Sequence, residues 1–271
     1  MGIQLLIWKS KEGIIALAIN LTEWISLQIG LKTKNILDII SHLNIEVSMA
    51  SFTSSVSSTH TYHGSSEVSF FLNDRDGLAV TIDTARLHIR SVEASEEDCR
   101  SYVGLFGDPD VMSKYATGLP SRKETIETRI KNVWAKRWQE HDPYSGLAVF
   151  IKDTEEFVGH VIIGHGDVSG QSELAYLFMQ NHWHKGFGTE AVTSVVTEYA
   201  PATVQEGYTL ADSPLEEGAI LETITATTRP DNLASVKILE KLGMYKISED
   251  EKYGTVRHQY SIHLSELSKK A

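Results

Sequence analysis

The sequence predicts an α+β fold, a mixed and largely antiparallel central sheet flanked by helices. Three observations carry this expectation. Between residues 146 and 179, three strand-like segments alternate with turns across connections of only a few residues, which antiparallel strands allow and parallel strands do not. Before them, residues 95–106 and 121–138 have helical spacing behind N-terminal capping signals. After them, a Gly-spaced turn leads out of a strand into a helical stretch at 188–199, and strand, helix and two strands complete the pattern.

Taken in order, residues 3–8 and 14–21 fit two strands around a polar turn, and residues 3–29 equally fit one helix; 35–43 has the spacing of a short helix. Residues 51–66, SFTSSVSSTHTYHGSS, are dense in Ser and Thr and hold no Asp, Glu, Lys or Arg, the composition of a linker or long loop. Segments 68–72 and 78–82 flank a turn ending in Asp76-Gly77, which predicts a hairpin. Leu87, Ile89 and Val92 suggest a strand. Ser95 with Asp98 reads as an N-cap, and Ser121 with Glu124 as the start of a helix running through Ile126, Ile130 and Trp134 to Trp138. Strands are expected at 146–152, 157–164, 172–179 and 223–227, a helix at 234–242 ended by Gly243, and a last pair of strands at 245–251 and 256–264. From residue 87 the order is βααβββαβαββ.

A length of 271 residues suggests one main domain, 83–271, with an N-terminal extension, 1–82, that includes the Ser/Thr-rich stretch. The net charge of -11 opposes nucleic acid, whose phosphates need Lys and Arg partners, and suits cationic or amine-bearing substrates. The single cysteine, Cys99, excludes an internal disulfide or a Cys-based zinc site and fits a reducing compartment. The apolar run 14–21 is too short to span a bilayer. A cytoplasmic protein without membrane or nucleic-acid partners is expected.

The segment Trp183-His184-Lys185-Gly186-Phe187-Gly188-Thr189-Glu190-Ala191 carries the strongest chemical signal. Glycine lets a backbone turn sharply and approach a ligand closely, and the first N–H groups of a helix have no intrahelical partner. Such a strand–loop–helix junction can hold a pyrophosphate, although an ordinary turn would have the same spacing.

Four blocks in order make the chain from about 84 to 265 resemble the Gcn5-related N-acetyltransferases (GNAT), in particular the ribosomal-protein N-terminal acetylase branch. Arg86-Leu87-His88-Ile89-Arg90 resembles the opening strand and Glu173-Leu174-Ala175-Tyr176 the fourth strand. The block 183–191 resembles the acyl-CoA loop. Asn232-Leu233-Ala234-Ser235 with Glu240-Lys241-Leu242-Gly243-Met244 resembles the last helix. The resemblance implies acetyl-CoA as co-substrate, no metal, and a primary amine acceptor, either a protein N-terminus or a small molecule, attacked directly in a ternary complex. A non-catalytic acyl-CoA-binding protein is the alternative.

The resemblance also implies site residues. The pantetheine arm would pair with a splayed strand at Leu177, Phe178 and Met179, where a bulge would aim one N–H at the thioester oxygen. The pyrophosphate would sit over His184, Lys185, Gly186, Phe187, Gly188 and Thr189, and Asn232 would contact the coenzyme. Attack needs a neutral amine, yet free amines have pKa values of about 7.7–10.4. Glu173 is the first candidate base, with a carboxylate that only orients a strand or the acceptor as the other reading; His160 is a lesser candidate. Many members of the superfamily place a Tyr seven residues after the Asn, where this chain has Leu239. Ser235, three residues after the Asn, is then the candidate partner of the leaving sulfur, or only a helix cap. Ala175 and Gln180 replace a usual Gly and Pro. His182 and His184 lack a third ligand at metal-binding spacing. Trp134 and Trp138 read as core residues, and Asp108 and Asp110 as a solvated face. The stretch 201–221, acidic and longer than usual, is expected at the end of the sheet away from the phosphates.

Overall fold

The computed structural model describes residues 58–73, 77–210 and 218–267. The elements expected between residues 3 and 43 lie outside the described residues. The strands are β1 Ser58–His63, β2 Glu67–Asn73, β3 Gly77–Asp83, β4 Leu87–Ser91, β5 Gly146–Ile151, β6 Phe157–His165, β7 Gln171–Phe178, β8 Thr209–Leu210, β9 Ala219–Ile220, β10 Thr223–Thr228, β11 Tyr245–Lys252 and β12 Thr255–His263. Ten of them form one sheet in the order β1-β2-β3-β4-β5-β6-β7-β10-β12-β11, with β8 and β9 a separate small pair. Every neighbour pair in the large sheet is antiparallel except β7 with β10.

Helix α1 is Glu96–Gly107 and α2 Pro109–Met112. Helix α3 runs through Lys123–Arg129, a π-helical turn at Ile130–Trp134 and Ala135–Gln139. Helix α4 likewise comprises Phe187–Ser194, a π turn at Val195–Tyr199 and Ala200–Gln205; α5 is Leu233–Leu242 and α6 Leu264–Leu267. The widened turn in α4 directly precedes Pro201, whose missing N–H could not continue the regular ladder, and Ala200 N–H bonds instead to Val195 O.

Helices cover both faces of the sheet. Leu174, Phe187, Val192, Ile224 and Leu239 belong to one buried cluster, which packs α4 and α5 against one face. Tyr102, Phe106, Ile130, Trp134 and Leu177 belong to the other, under α1 and α3. Leu174 and Leu177 thus lie on opposite faces of β7, as strand alternation requires.

Local signals explain most boundaries. Ser95 Oγ accepts from Asp98 N–H at 3.1 Å and caps α1. Helix α3 starts two residues after the expected Ser121, because Ser121 N–H donates to Phe106 O at 2.8 Å and holds that residue in the connection; Arg122 is the cap and makes no side-chain cap bond. Residues 51–66, read as a linker, contain β1. Its Thr61 pairs with Ser69 of β2, and His60 reaches Glu206 at the end of α4 at 2.9 Å, so tertiary partners order a segment that lacks apolar alternation. Residues 58–83 continue the sheet outward from β4. Trp134 and Trp138 are both buried. Ser169 Oγ donates to Leu210 O at 3.0 Å, which sets the described part of 201–221 beside the β6–β7 turn, at the far end of β7 from Phe178. Among the described residues no helix is long and apolar enough to cross a membrane.

Gly243 closes α5 with φ +83, while Gly243 N–H bonds to Glu240 O and Met244 N–H to Leu239 O, the paired bonds of a Schellman motif. An L-residue in this left-handed conformation costs about 1–2 kcal/mol. Gly243→Ala is therefore expected to lower unfolding free energy by about that amount in urea titration, with the sheet retained.

Candidate active site

The site forms where β7 and β10 part. They pair in parallel only from Gln171–Thr223 to Glu173–Thr225; beyond this β7 stays on β6 and β10 on β12. The opening is a cleft of about 150 Å³ whose lining includes Glu173, Tyr176, Leu177, Asn232, Ser235 and Arg257. Met179 N–H donates to Val158 O at 2.9 Å and the Ser172 carbonyl accepts from Thr225 Oγ1. With this alternation the backbone polar groups of Tyr176 and the N–H of Phe178 turn towards the gap, whereas those of Leu177 and Met179 turn towards β6. The bulge expected at 177–179 is absent: the β6–β7 register runs unshifted from His165–Ser172 to Gly159–Phe178, because β6 continues to satisfy β7 through Met179.

The two faces of β7 give the cleft two chemical sides. On the α5 side, Tyr176 Oη lies 2.8 Å from Ser235 Oγ. Burial pushes the Tyr176 phenol well above its usual range and outweighs the opposing effect of the Ser235 hydrogen bond. Asn232 caps α5, its Oδ1 accepting from Ser235 N–H at 3.4 Å, which fixes the first turn that carries Ser235. Leu239, at the position of the usual Tyr, is buried in the core and does not line the cleft. On the α1–α3 side stands Glu173, half-buried, with Lys252 Nζ of the last hairpin 3.7 Å away. The loop after α2 closes one end of the cleft: Lys114 Nζ donates to Asp231 O at 2.6 Å, and Tyr115 and Ala116 join the lining.

The glycine loop follows β7 directly. Trp183 Nε1 donates to Phe178 O at 2.8 Å and ties the loop to the strand end. His184 and Gly186 both adopt left-handed backbone, φ +61 and +83, and turn the chain into α4. A non-Gly residue in that conformation is strained, a feature that concentrates at ligand sites. A Cβ on Gly188 would lie 3.1 Å from the Phe178 ring. His184, Lys185 and Gly186 are exposed, Phe187 is buried, and the N–H groups of Phe187, Gly188 and Thr189 open the helix without intrahelical acceptors.

Arg86 braces this loop. Its guanidinium donates to Lys185 O at 3.0 Å, pairs with Glu190 at 2.6 Å and lies 4.7 Å from the centre of the Phe187 ring. Burial raises the Glu190 pKa, but hydrogen bonds from Thr84 and Arg86 outweigh it and hold the carboxyl below its ordinary value.

Other sequence candidates lie apart. His160 is buried among Tyr102, Phe106 and Trp134, with Nδ1 2.9 Å from Tyr102 Oη, and burial lowers its pKa to about 3; it does not line the cleft. His182 is buried beside Glu156 at 3.2 Å, while His184 is exposed. Among the described residues no group of three or more His, Cys, Asp or Glu is arranged to hold a metal ion. Asp108 caps α2, and Asp110 accepts from Gln180.

Residues 86–245, more than half of the chain, match the family described as "Acetyltransferase (GNAT) domain". The chain belongs to the GNAT acetyltransferase family. It is 29% identical over 168 residues to the uncharacterized protein YkkB of Bacillus subtilis, covering 60% of this chain and 83% of that one. It is 27% identical to the uncharacterized N-acetyltransferase p20 of Bacillus licheniformis, covering 61% and 83%. Among solved structures, the ribosomal-protein-S5-alanine acetyltransferase of Vibrio fischeri aligns with a TM-score of 0.52 at 16% identity, over 69% of this chain and 98% of that one. The spermidine N-acetyltransferase of Vibrio cholerae, in complex with CoA and spermine, aligns with a TM-score of 0.51 at 15% identity, over 68% and 99%.

Set in this GNAT frame, the structure brings Glu173, Leu177, Asn232 and Ser235 to one cleft and places the glycine loop at the end of the same strand. Tyr176 and Arg257 also line the cleft and are not among the sequence candidates. Tyr176 sits inside the quoted Glu173–Tyr176 block, and alternation opposite Glu173 would have directed its hydroxyl towards α5, where a buried phenol needs a partner. Arg257 is an isolated charge on the last strand and carries no local motif.

Proposed function

We propose that the protein transfers the acetyl group of acetyl-CoA directly to a primary amine held in the β7–β10 cleft. The observation that carries this reading is the joining of the splayed strands to the glycine loop, which together match the extended shape and charge of the coenzyme. The gap offers backbone groups of β7 to the pantetheine amides, as an added strand would find them. The N-terminal N–H groups of α4 face the pyrophosphate. That the spermidine N-acetyltransferase of similar fold was solved in complex with CoA and spermine supports the choice of coenzyme.

In the proposed reaction the amine nitrogen attacks the thioester carbonyl from the Glu173 side. The C–N bond forms, the C–S bond breaks, and Glu173 accepts the proton that the amine loses. On the other side of the strand Ser235 donates a hydrogen bond to the sulfur, which departs as the coenzyme thiolate and takes its proton from solvent. Tyr176 keeps its own proton across the working pH range because burial holds its pKa high, so it donates to Ser235 Oγ and leaves the serine hydrogen free for the sulfur. Acetylation monitored by thiol release, with acetyl-CoA and a panel of peptides, polyamines and amino acids, tests the reading; thiol release that depends on an amine supports it, and none with any amine refutes it.

Arg86 supports this function from behind the loop. Arg86→Ala removes charge-assisted hydrogen bonds, each contributing about 1.5–3 kcal/mol, from a partly exposed site where solvent screens part of the effect. The Kd for coenzyme A in calorimetry is expected to rise about tenfold, with kcat at saturating acetyl-CoA changed little.

A further inference from the structure

One group in the cleft has no task in acetyl transfer as described. Arg257, on β12, is only 6% exposed, yet its Nε and Nη1 atoms have no hydrogen-bond partner. Its Nη2 donates to Thr227 O at 3.1 Å, and its Cζ lies 5.6 Å from the centre of the Tyr253 ring. A buried guanidinium normally has all its donors engaged and a carboxylate beside it, and even the part-buried Arg90 has Asp98 at 2.6 Å. Among the described residues no acid pairs with Arg257, and the cleft that it lines is open to solvent.

Its direction is set by the strand. Tyr260 and Ile262 of β12 pack into the α4–α5 core, so Arg257, of opposite parity, faces the α1–α3 side. That is the side of Glu173, away from Ser235. Burial lowers the guanidinium below its ordinary value, while the nearby charge of Glu173 works the other way, so the two groups are within electrostatic reach without being paired. The partner of Glu173 is Lys252 at 3.7 Å, a side chain as half-buried as Glu173 itself and standing at a hairpin tip, and a long contact of this kind contributes little and is readily displaced.

We propose that the acceptor is a zwitterion, a free α-amino acid, whose amine meets Glu173 and whose carboxylate takes the unpartnered donors of Arg257. Guanidinium is suited to this because it stays charged and presents several directed N–H groups to a carboxylate. A peptide N-terminus or a polyamine has an amide or a methylene where the carboxylate would be and leaves Arg257 unsatisfied. This inference rests on the amine-acetyltransferase reading above and narrows its substrate.

The test uses the full chain with saturating acetyl-CoA and compares thiol release for free L-amino acids, the corresponding amino acid amides, and spermidine. The expected result is a kcat/KM at least about 100-fold higher for the preferred free amino acid than for its amide, since a site with buried donors rejects an analogue lacking their partner. Arg257→Met is expected to abolish that preference and Arg257→Lys to retain part of it, with the acetyl-CoA Kd unchanged in both. The inference is overturned if amides or spermidine react as well as free amino acids, or if both variants keep the wild-type preference. It is also overturned if the variants lose coenzyme affinity while the acid-to-amide ratio holds, which would assign Arg257 to the coenzyme. A protein that binds no acetyl-CoA and acetylates no amine fails at the earlier reading and takes this inference with it; one that acetylates amides freely fails here alone.

Discussion

Ser235→Ala is expected to lower kcat by about 10²- to 10³-fold while the Kd for acetyl-CoA changes by no more than about twofold. The hydroxyl is the polar group of α5 on the coenzyme side of the cleft, and the usual Tyr of the helix is replaced by the buried Leu239. Loss of a hydrogen-bond donor to the developing thiolate acts in the transition state and leaves ground-state binding nearly intact, so the change belongs in kcat. Tyr176→Phe keeps the ring packed and removes only the oxygen 2.8 Å from Ser235. It is expected to lower kcat by about tenfold, and the double variant should be no slower than Ser235→Ala alone, because groups acting as one unit are not additive. Full additivity would separate Tyr176 from the serine. An unchanged kcat in Ser235→Ala would reduce that residue to a neighbour of the helix cap.

Gly188→Val is expected to raise the Kd for coenzyme A by at least about 100-fold. A Cβ there already meets the Phe178 ring at 3.1 Å, and the two further methyls would occupy the space over the first turn of α4. Hydrogen bonds to charged groups contribute about 1.5–3 kcal/mol each, so losing one or two of them accounts for this change. Gly188→Ala needs only a few tenths of an ångström from the ring and should show a smaller loss. Calorimetric titration of both variants, with circular dichroism to check the fold, measures the series; equal affinity for wild type and Gly188→Val would remove the phosphates from this loop.

Local chemistry made most of the fold legible. The β2–β3 hairpin, the Ser95 cap and the Gly243 stop each depend on residues within a few positions of one another, and all three form as expected. The loop 183–189 was readable for the same reason, since its glycines, its strand and its helix are contiguous. What depended on distant partners was not. Strand β1 has largely exposed side chains and is ordered by β2 and by Glu206, roughly 146 residues from His60. The start of α3 was displaced by a hydrogen bond from Ser121 to the end of α1. The bulge implied by resemblance fails because Met179 stays paired to β6.

The candidate site divides in the same way. Glu173, Asn232 and Ser235 were found through blocks of contiguous sequence, and the cleft gathers them. Tyr176 and Arg257 acquire meaning only when α5 and β12 fold back beside β7, the first by gaining a hydrogen-bond partner and the second by being buried without enough of them.

Isothermal titration of the full chain with acetyl-CoA decides whether the cleft and the glycine loop hold the coenzyme. One saturable site per chain is expected, with a Kd well below a millimolar, weakened at least about 100-fold by Gly188→Val and nearly unaffected by Ser235→Ala. No binding at millimolar acetyl-CoA, or binding that Gly188→Val leaves untouched, would contradict it.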